Sequence, residues 1–240
     1  MGRHNTIAGR KEKQDAKRAQ IFTKYARAIT VAAKGGGDME YNMALKNAVE
    51  KAKAINMPND NITRAIKKGT GELGGDSYES GTFEGYGPGG VAIIVETLTD
   101  NKNRTTAAVK HNFDKYGGNL GVPGCVGYMF NRKGYILIEK TDEIDEDELM
   151  MVGMDAGMED MTVNEDSFEI FTEPNDFAEV ADALRNAGYE LLESDIDMVP
   201  TMTSEPPENV INNLKKLVAA LEDDDDVQKV YTNCDVDLED

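Results

Sequence analysis

Tyr135-Ile136-Leu137-Ile138 begins a run of elements whose order indicates the fold class. The four residues are typical of a strand, and a helical period follows from Asp145 to Ala156. Two short strand patterns then flank a polar turn at residues 164–167, a second helical period covers Asp176–Ala187, and Tyr189–Val199 is a strand again. The order β-α-β-β-α-β predicts a ferredoxin-like sandwich, with two helices on one face of an antiparallel sheet.

The segments on either side of this run predict a second domain built from two separated pieces. After Val91 the pattern is strand, helix and strand, and the last of these strands is predicted at Cys125–Phe130. The tail adds a helical pattern at Glu208–Leu221 and a strand pattern at Val227–Cys234, which cannot bury themselves alone. We therefore expect the tail to complete a domain of residues 80–133 plus 201–240, with the ferredoxin-like domain of residues 134–200 inserted in it.

The first part of the chain predicts a helical domain with a mobile arm. Apolar residues recur at helical spacing from Arg10 to Lys34, again after Asp38, which we interpret as an N-cap, and in a third short helix. A linker rich in Gly, Ser and acidic residues covers Gly69–Gly81. The predicted fold class is α+β and multidomain, with a three-helix bundle in residues 1–75 followed by two ferredoxin-like α/β sandwich domains, one inserted in the other.

Positive charge is concentrated in the first seventy residues, although the chain as a whole is acidic. Residues 1–70 hold 15 Lys and Arg against 6 Asp and Glu, a formal charge of +9. The whole chain has 26 against 45, which leaves 11 against 39, or −28, for residues 71–240. Because a partner responds to charge within a screening length of about 8–10 Å, the basic segment can attract a polyanion although the total charge is −19.

The basic residues of this segment are candidates for phosphate contacts, which give affinity without reading a base sequence. Nine basic residues against two acidic ones in residues 1–34 exceed what solubility requires, although a solvated basic face is the alternative. A second, weaker cluster lies in a loop that leads into a helix N-terminus, a position that can itself hold a phosphate. The candidate nucleic-acid-binding residues are Arg3, His4, Arg10, Lys11, Lys13, Lys17, Arg18, Lys24, Lys102 and Arg104.

Other kinds of site find little support in the residues. His4 and His111 lie in different predicted domains, and no Cys/His spacing suits a metal. A G-x-G-x-x-G pattern at Gly85–Gly90 opens a strand rather than a helix, which disfavours dinucleotide binding. No nucleophile–base pair can be placed, so we expect no enzyme activity, no cofactor and no metal. The acidic run Glu222–Asp226 is interpreted as solvated charge, and no aromatic pair typical of RNA-binding sheets is evident.

Membrane insertion and a disulfide framework are also disfavoured. No run approaches the roughly 18 apolar residues that a membrane-spanning helix needs. Cys125 and Cys234 are too few for a disulfide framework, so we expect a cytoplasmic protein.

Several motifs along the chain are specific enough to suggest a family. They are Gln14-Asp15-Ala16-Lys17-Arg18, Tyr86-Gly87-Pro88-Gly89-Gly90-Val91-Ala92, Thr99-Asp100-Asn101-x-Asn103-Arg104-Thr105, Gly117-Gly118-Asn119-Leu120-Gly121 and Val227-Gln228-x-Val230-Tyr231-Thr232-Asn233. Together they resemble the YebC/PmpR family over nearly the full length. The chain departs from the family at its tip, where Thr6-Ile7-Ala8-Gly9 stands in place of a segment that often carries a Trp and a second His.

The resemblance implies a cytoplasmic bacterial protein with an N-terminal helical domain and two α/β domains. Family members are named as probable transcriptional regulators that bind DNA, whereas mitochondrial relatives activate translation and some bacterial relatives are linked to ribosomes and stalled elongation. Our first hypothesis is therefore a non-enzymatic nucleic-acid-binding regulator of gene expression, with DNA or ribosomal RNA as partner and a protein partner for the acidic domains. The alternatives are a ribosome-associated translation factor and a small-ligand regulatory module, because paired ferredoxin-like domains can bind metabolites at their interface.

Overall fold

The structure is a computed structural model that describes residues 18–74, 77–236 and 238. These residues form an α+β fold with two antiparallel four-stranded sheets and seven α-helices. Three helices precede both sheets in the chain, and each sheet is covered on one face by two of the other four. Within the described ranges, no helix combines the length and apolar character needed to cross a membrane.

The three N-terminal helices share one hydrophobic core. They are α1 (Arg18–Ala32), α2 (Met43–Ala54) and α3 (Asn59–Gly69). Ile29 of α1 and Leu45 of α2 are fully buried in this core, and Ile62 of α3 is 5% exposed. Burying an aliphatic side chain of this size contributes about 1.5–3 kcal/mol, and the buried residues of this core together oppose the entropy lost when the three helices become ordered.

Helix α2 begins later than predicted because Asn42, and not Asp38, is its N-cap. The Asn42 side-chain oxygen accepts a hydrogen bond from the backbone N–H of Leu45 at 3.1 Å. Its amide nitrogen donates to the carbonyl of Ala32 at 2.7 Å, so the same side chain also ties α2 to the end of α1. The predicted helix from Arg10 is described only from Arg18 onward, and the predicted mobile arm lies outside the described residues.

The first sheet is assembled from two distant segments of the chain. Its strands are β1 (Glu79–Tyr86), β2 (Ala92–Thr99), β3 (Asn119–Leu120) and β8 (Val227–Thr232), in the order β3-β1-β2-β8. Helices α4 (Lys102–Lys115) and α7 (Glu208–Glu222) pack on one face of it. Strand β8 runs antiparallel to β2, with Val230 opposite Val95, so the tail of the chain does return to this sheet.

Two element predictions for this sheet are wrong. The segment predicted as a linker already contains the start of β1, which pairs with β2 along its full length. The strand predicted at Cys125–Phe130 is a loop that ends in a 3₁₀ turn at Gly127–Met129. The Glu84 carboxylate accepts hydrogen bonds from the backbone N–H groups of Gly124 at 2.7 Å, Val126 at 3.0 Å and Gly127 at 2.7 Å. Amides that bind a carboxylate cannot also donate to a neighbouring strand, so no ladder forms there.

These differences change the topology of the first sheet. Its elements follow the order β-β-α-β and then α-β, whereas a ferredoxin-like order was predicted. The tail supplies the helix and the edge strand next to β2, as expected from its inability to bury itself.

The second sheet has the predicted order β-α-β-β-α-β. Its strands are β4 (Phe130–Glu139), β5 (Met158–Val163), β6 (Ser167–Thr172) and β7 (Leu191–Pro200), and its helices are α5 (Glu146–Asp155) and α6 (Phe177–Asn186). The spatial order is β5-β6-β4-β7, with every neighbouring pair antiparallel. Ile136 and Ile138 pack against both helices, so the alternating residues Tyr135 and Leu137 lie on the opposite face.

The domain limits proposed from the sequence stay a prediction. They are residues 1–75, residues 80–133 plus 201–240, and residues 134–200.

The two sheets contact each other through a hydrogen bond between β8 and β7. The hydroxyl of Tyr231 on β8 donates to Asp197 on β7 at 3.1 Å.

Candidate nucleic-acid interface

The predicted site residues divide into those that the structure describes and those that it does not. Arg3, His4, Arg10, Lys11, Lys13 and Lys17 lie outside the described residues. Arg18 is the first residue of α1, and its side chain also lies outside the description. The side chains of Lys24, Lys102 and Arg104 are described, and all three lie around one end of the first sheet.

Helix α1 lies against the end of α7 through three polar side chains on one face. Gln20, Lys24 and Arg27 are spaced i, i+4 and i+7, which places them on the same side of a helix. Lys24 Nζ donates to the carbonyl of Glu222 at 2.7 Å, and Gln20 donates to the next carbonyl, that of Asp223. The last carbonyls of a helix have no partner within it and carry the negative end of its dipole, so α1 supplies the missing donors.

One residue of the acidic run Glu222–Asp226, Asp226, is buried and holds α1, so the interpretation as solvated charge is wrong for this residue. Arg27 Nη1 lies 2.6 Å from Asp226 Oδ1 and also donates to the carbonyl of Asp225 at 2.6 Å and to that of Leu98 at 3.2 Å. The Asp226 side chain is 5% exposed and that of Arg27 is 14% exposed. A buried carboxylate of this kind is costly unless it is paired and hydrogen-bonded, and here it is both.

Arg104 reaches the same carboxylate from the other side. Its Nη2 lies 2.8 Å from Asp226 Oδ2 and 2.8 Å from Asp100 Oδ1. Thr105 Oγ1 donates to Asp226 Oδ2 at 2.7 Å and Thr99 Oγ1 does so at 3.1 Å. The predicted second phosphate cluster, Lys102 and Arg104, lies in the first turn of α4, and Arg104 joins this turn to α1 through one buried aspartate.

The ionisation of Asp226 follows from these contacts. Burial alone would raise its pKa, but hydrogen bonds from Arg104, Thr105 and Arg27 outweigh that effect and lower the pKa to about 2. The pKa of the Arg104 guanidinium is raised by its hydrogen bonds to Asp226 and Asp100. Asp226 is therefore ionised at neutral pH and offsets part of the positive charge of both arginines.

The structure thus separates the predicted residues by role. Lys24 and Arg104 direct their charged groups to acceptors of the protein itself, although the Arg104 side chain remains 53% exposed. Lys102 is exposed at the first position of α4, whose N-cap Asn101 accepts from the backbone N–H of Arg104 at 3.1 Å. Within the described residues, the charged group of Lys102 has no hydrogen bond or ion pair.

Sequence reasoning missed Arg27 and Asp226. The helical spacing of Arg27 relative to Lys24 was a usable signal for the face that α1 presents. The partner, 199 residues away in the chain, left no local signal.

A second polar junction, also missed, joins α2 to both sheets. Asp195 on β7 accepts from Lys51 of α2 and from Lys229 of β8, and Lys229 also pairs with Asp197. Burial alone would raise the pKa of Asp195, but the charges of Lys229 and Lys51 outweigh it and lower that pKa. Asp226 and Asp195 are therefore two of the described residues that hold the N-terminal helices to the part of the chain that forms the sheets.

Comparison with known proteins covers nearly the whole chain. Residues 2–72 match the family description "TACO1/YebC protein N-terminal domain", and residues 78–234 match "TACO1/YebC second and third domain". A "Probable transcriptional regulatory protein" of Clostridioides difficile is 58% identical over 98% of this chain and 100% of its own length. One from Listeria monocytogenes serotype 4b is 51% identical over 97% of each chain.

A solved structure shows the same arrangement of elements. The crystal structure of a conserved hypothetical protein from Aquifex aeolicus superposes with a TM-score of 0.83 at 44% sequence identity, covering 92% of this chain and 91% of that one. The family matches, the curated relatives and this structural likeness agree, and they confirm the resemblance suggested by the motifs: this chain belongs to the TACO1/YebC family.

Proposed function

We propose that this protein is a non-enzymatic regulator of gene expression that binds nucleic acid through its basic N-terminal helical part. The observation that carries the proposal is the separation of charge, +9 on residues 1–70 and −28 on the remainder. An acidic body repels a nucleic acid, so a phosphate backbone is attracted to the basic part alone.

The contacts of α1 support a defined geometry for this interaction. The contacts of Lys24, Arg27 and Arg104 hold α1 beside the first turn of α4. The phosphate contacts are then assigned to Arg3, His4, Arg10, Lys11, Lys13, Lys17 and Arg18, with Lys102 beside them. Lys24 and Arg104 are left out of this assignment because their charged groups contact acceptors of the protein itself.

The names of the relatives support a regulatory role, since those compared above are called probable transcriptional regulatory proteins. Duplex DNA is accordingly the first proposed target. Ribosomal RNA presents the same phosphate charge, and a ribosome-associated role in translation is the second candidate for the same surface.

The test is binding to a DNA duplex and to a ribosomal RNA fragment between about 50 and 200 mM salt, where phosphate contacts dominate the salt dependence. We expect Lys13→Glu, Lys17→Glu and Arg18→Glu, combined in one variant, to weaken binding and to reduce the slope of log K against log salt by roughly 2 to 3. Lys102→Glu alone should reduce the slope by roughly 1.

The matched control changes the same charge on the acidic body. Arg132→Glu, Lys140→Glu and Lys216→Glu are exposed positions on the two sheet domains and alter the net charge equally. Equal loss of affinity in both triple variants would mean that total charge alone matters, and an unchanged slope in the first would contradict the phosphate contacts. Preference for one of the two nucleic acids decides between the two targets.

A further inference from the structure

A cleft of about 350 Å³ lies where the two sheets meet. Its floor is the face of the second sheet that points away from α5 and α6, and Tyr231 and Thr232 of β8 form part of its wall. The volume falls at the lower end of the range for small-molecule sites, about 300–1,000 Å³. None of the candidate nucleic-acid-binding residues that the structure describes lines the cleft, so the proposed nucleic-acid interface makes no use of it.

Two aromatic side chains lie together on the floor of this cleft. Tyr135 on β4 and Phe171 on β6 are directly opposite each other in the sheet, with ring centroids 5.7 Å apart at 54°. The sequence showed no such pair because the two residues belong to strands that are separated by α5 and β5. An aromatic pair on these two central strands is the arrangement that RNA-binding sheets use to stack bases.

The charge of the cleft argues against a nucleic acid here. Four carboxylates line it, from Glu159, Asp160, Glu169 and Asp197, against the ammonium group of Lys133 in the lining and that of Lys229, which pairs with Asp197. Lys133 is itself paired with Glu159 at 2.5 Å and with Glu173. A phosphate backbone next to this excess of negative charge would be repelled, whereas a cation would be attracted.

The remaining lining fits an organic cation better than a bare metal ion. Aromatic side chains attract ammonium and guanidinium groups, and Val199 and Pro200 add apolar surface for an aliphatic stem. The Tyr135 hydroxyl donates to Glu169 Oε1 at 3.2 Å, so this carboxylate is held in place beside the aromatic pair. In such a site the carboxylate pairs with the charged group of the ligand, and the aromatic and apolar side chains contact its aliphatic stem.

We infer that this cleft binds a small aliphatic cation, an amine or guanidinium compound, between the two sheets. The occupant contacts β7 at Asp197 and β8 at Tyr231. Asp197 also pairs with Lys229, whose other partner, Asp195, holds Lys51 of α2. The site is therefore contiguous with the polar junction at Asp195, which contacts the N-terminal helices through Lys51.

The test is calorimetric titration of the full chain with spermidine at constant ionic strength. We expect one saturable site per chain. Asp160→Asn with Glu169→Gln keeps the shape of the cleft and removes two charges, so we expect the affinity to fall about tenfold or more, since each charge-assisted hydrogen bond matters at that scale. Asp142→Asn with Glu143→Gln removes the same charge from an exposed loop and should leave the affinity within about twofold, because screened surface charges contribute little.

A second variant tests the cleft without changing its carboxylates. Thr162→Lys adds an ammonium group to a half-buried position on the cleft wall and should abolish spermidine binding. Equal weakening in the cleft variant and the loop variant would show diffuse attraction to an acidic protein and overturn the proposal. Binding of a peptide of residues 1–20 without binding of spermidine would overturn it as well, because the cleft would then be a dock for basic protein segments.

Discussion

Arg27 of α1 and Asp226 before β8 form an ion pair of 2.6 Å between parts of the chain that are 199 residues apart. The same carboxylate accepts from Arg104 at 2.8 Å, so one buried group joins α1, the first turn of α4 and the start of β8. This carboxylate therefore links α1 to the turn of α4 that begins with Lys102.

Removal of the Asp226 charge should destabilise the protein markedly. Asp226→Asn leaves Arg27 and Arg104 without their shared counter-ion, and breaking a buried pair typically costs about 3–5 kcal/mol. Urea unfolding of both proteins measures the difference in the free energy of unfolding. Asp225→Asn, an exposed neighbour with the same change of charge, should cost under about 0.5 kcal/mol, as surface substitutions do. Similar losses in the two variants would contradict the role given to Asp226.

Lowering the pH should reduce the free energy of unfolding, partly because Asp226 becomes protonated. The pKa of Asp226 is about 2 in the folded protein, below the ordinary value of 3.8. A group whose pKa is lowered by folding stabilises the protein above its unfolded pKa, and that contribution is lost as pH falls from about 4 toward 2. The difference in unfolding free energy between the native protein and Asp226→Asn should therefore shrink over this range. A constant difference down to about pH 2 would contradict the lowered pKa.

Gly69→Ala should separate α3 from α1. A Cβ atom at this position would lie 2.3 Å from the carbonyl oxygen of Thr30 and 2.6 Å from the Cβ of Ala33. Alanine is the better helix former by about 1 kcal/mol, but overpacking against backbone costs about 1–3 kcal/mol, so we expect net destabilisation in thermal unfolding. At Gly35 the nearest atom to an added Cβ is 3.4 Å away, and Gly35→Ala should be tolerated. A stabilised Gly69→Ala protein would show that the two helices can move apart freely.

Glu84→Gln should loosen the loop before β4. The carboxylate accepts three backbone N–H groups between Gly124 and Gly127, whereas an amide side chain has one acceptor oxygen and brings an NH₂ group against those donors. Burial alone would raise the pKa of Glu84, but these bonds lower it, which shows that they favour the charged form. We expect a loss of about 1–3 kcal/mol and faster hydrogen exchange at these amides. Exchange should be unchanged in Glu79→Gln, an exposed glutamate on the same strand, and unchanged exchange in Glu84→Gln would contradict the account.

Local patterns in the sequence were sufficient to predict the helices and strands that bury one face. The helical period identified α1 to α7, and the alternation around Tyr135–Ile138 identified the β-α-β-β-α-β order of the second sheet. They were sufficient because the residues that face the core recur about every third or fourth position in an amphipathic helix and every second position in a half-buried strand. The concentration of positive charge in the first seventy residues is likewise a property of the chain that needs no structure.

Only the tertiary structure decided which groups meet. It showed that β1 begins in a segment rich in Gly and acidic residues, a composition typical of a linker. It also showed a loop, hydrogen-bonded to Glu84, where a strand was predicted at Cys125–Phe130. It also placed Arg27 and Arg104 on one buried carboxylate, and Tyr135 beside Phe171 over an acidic cleft. Contacts of this kind join residues that are remote in the chain, and their stability comes from burial and pairing that exist once both segments are folded.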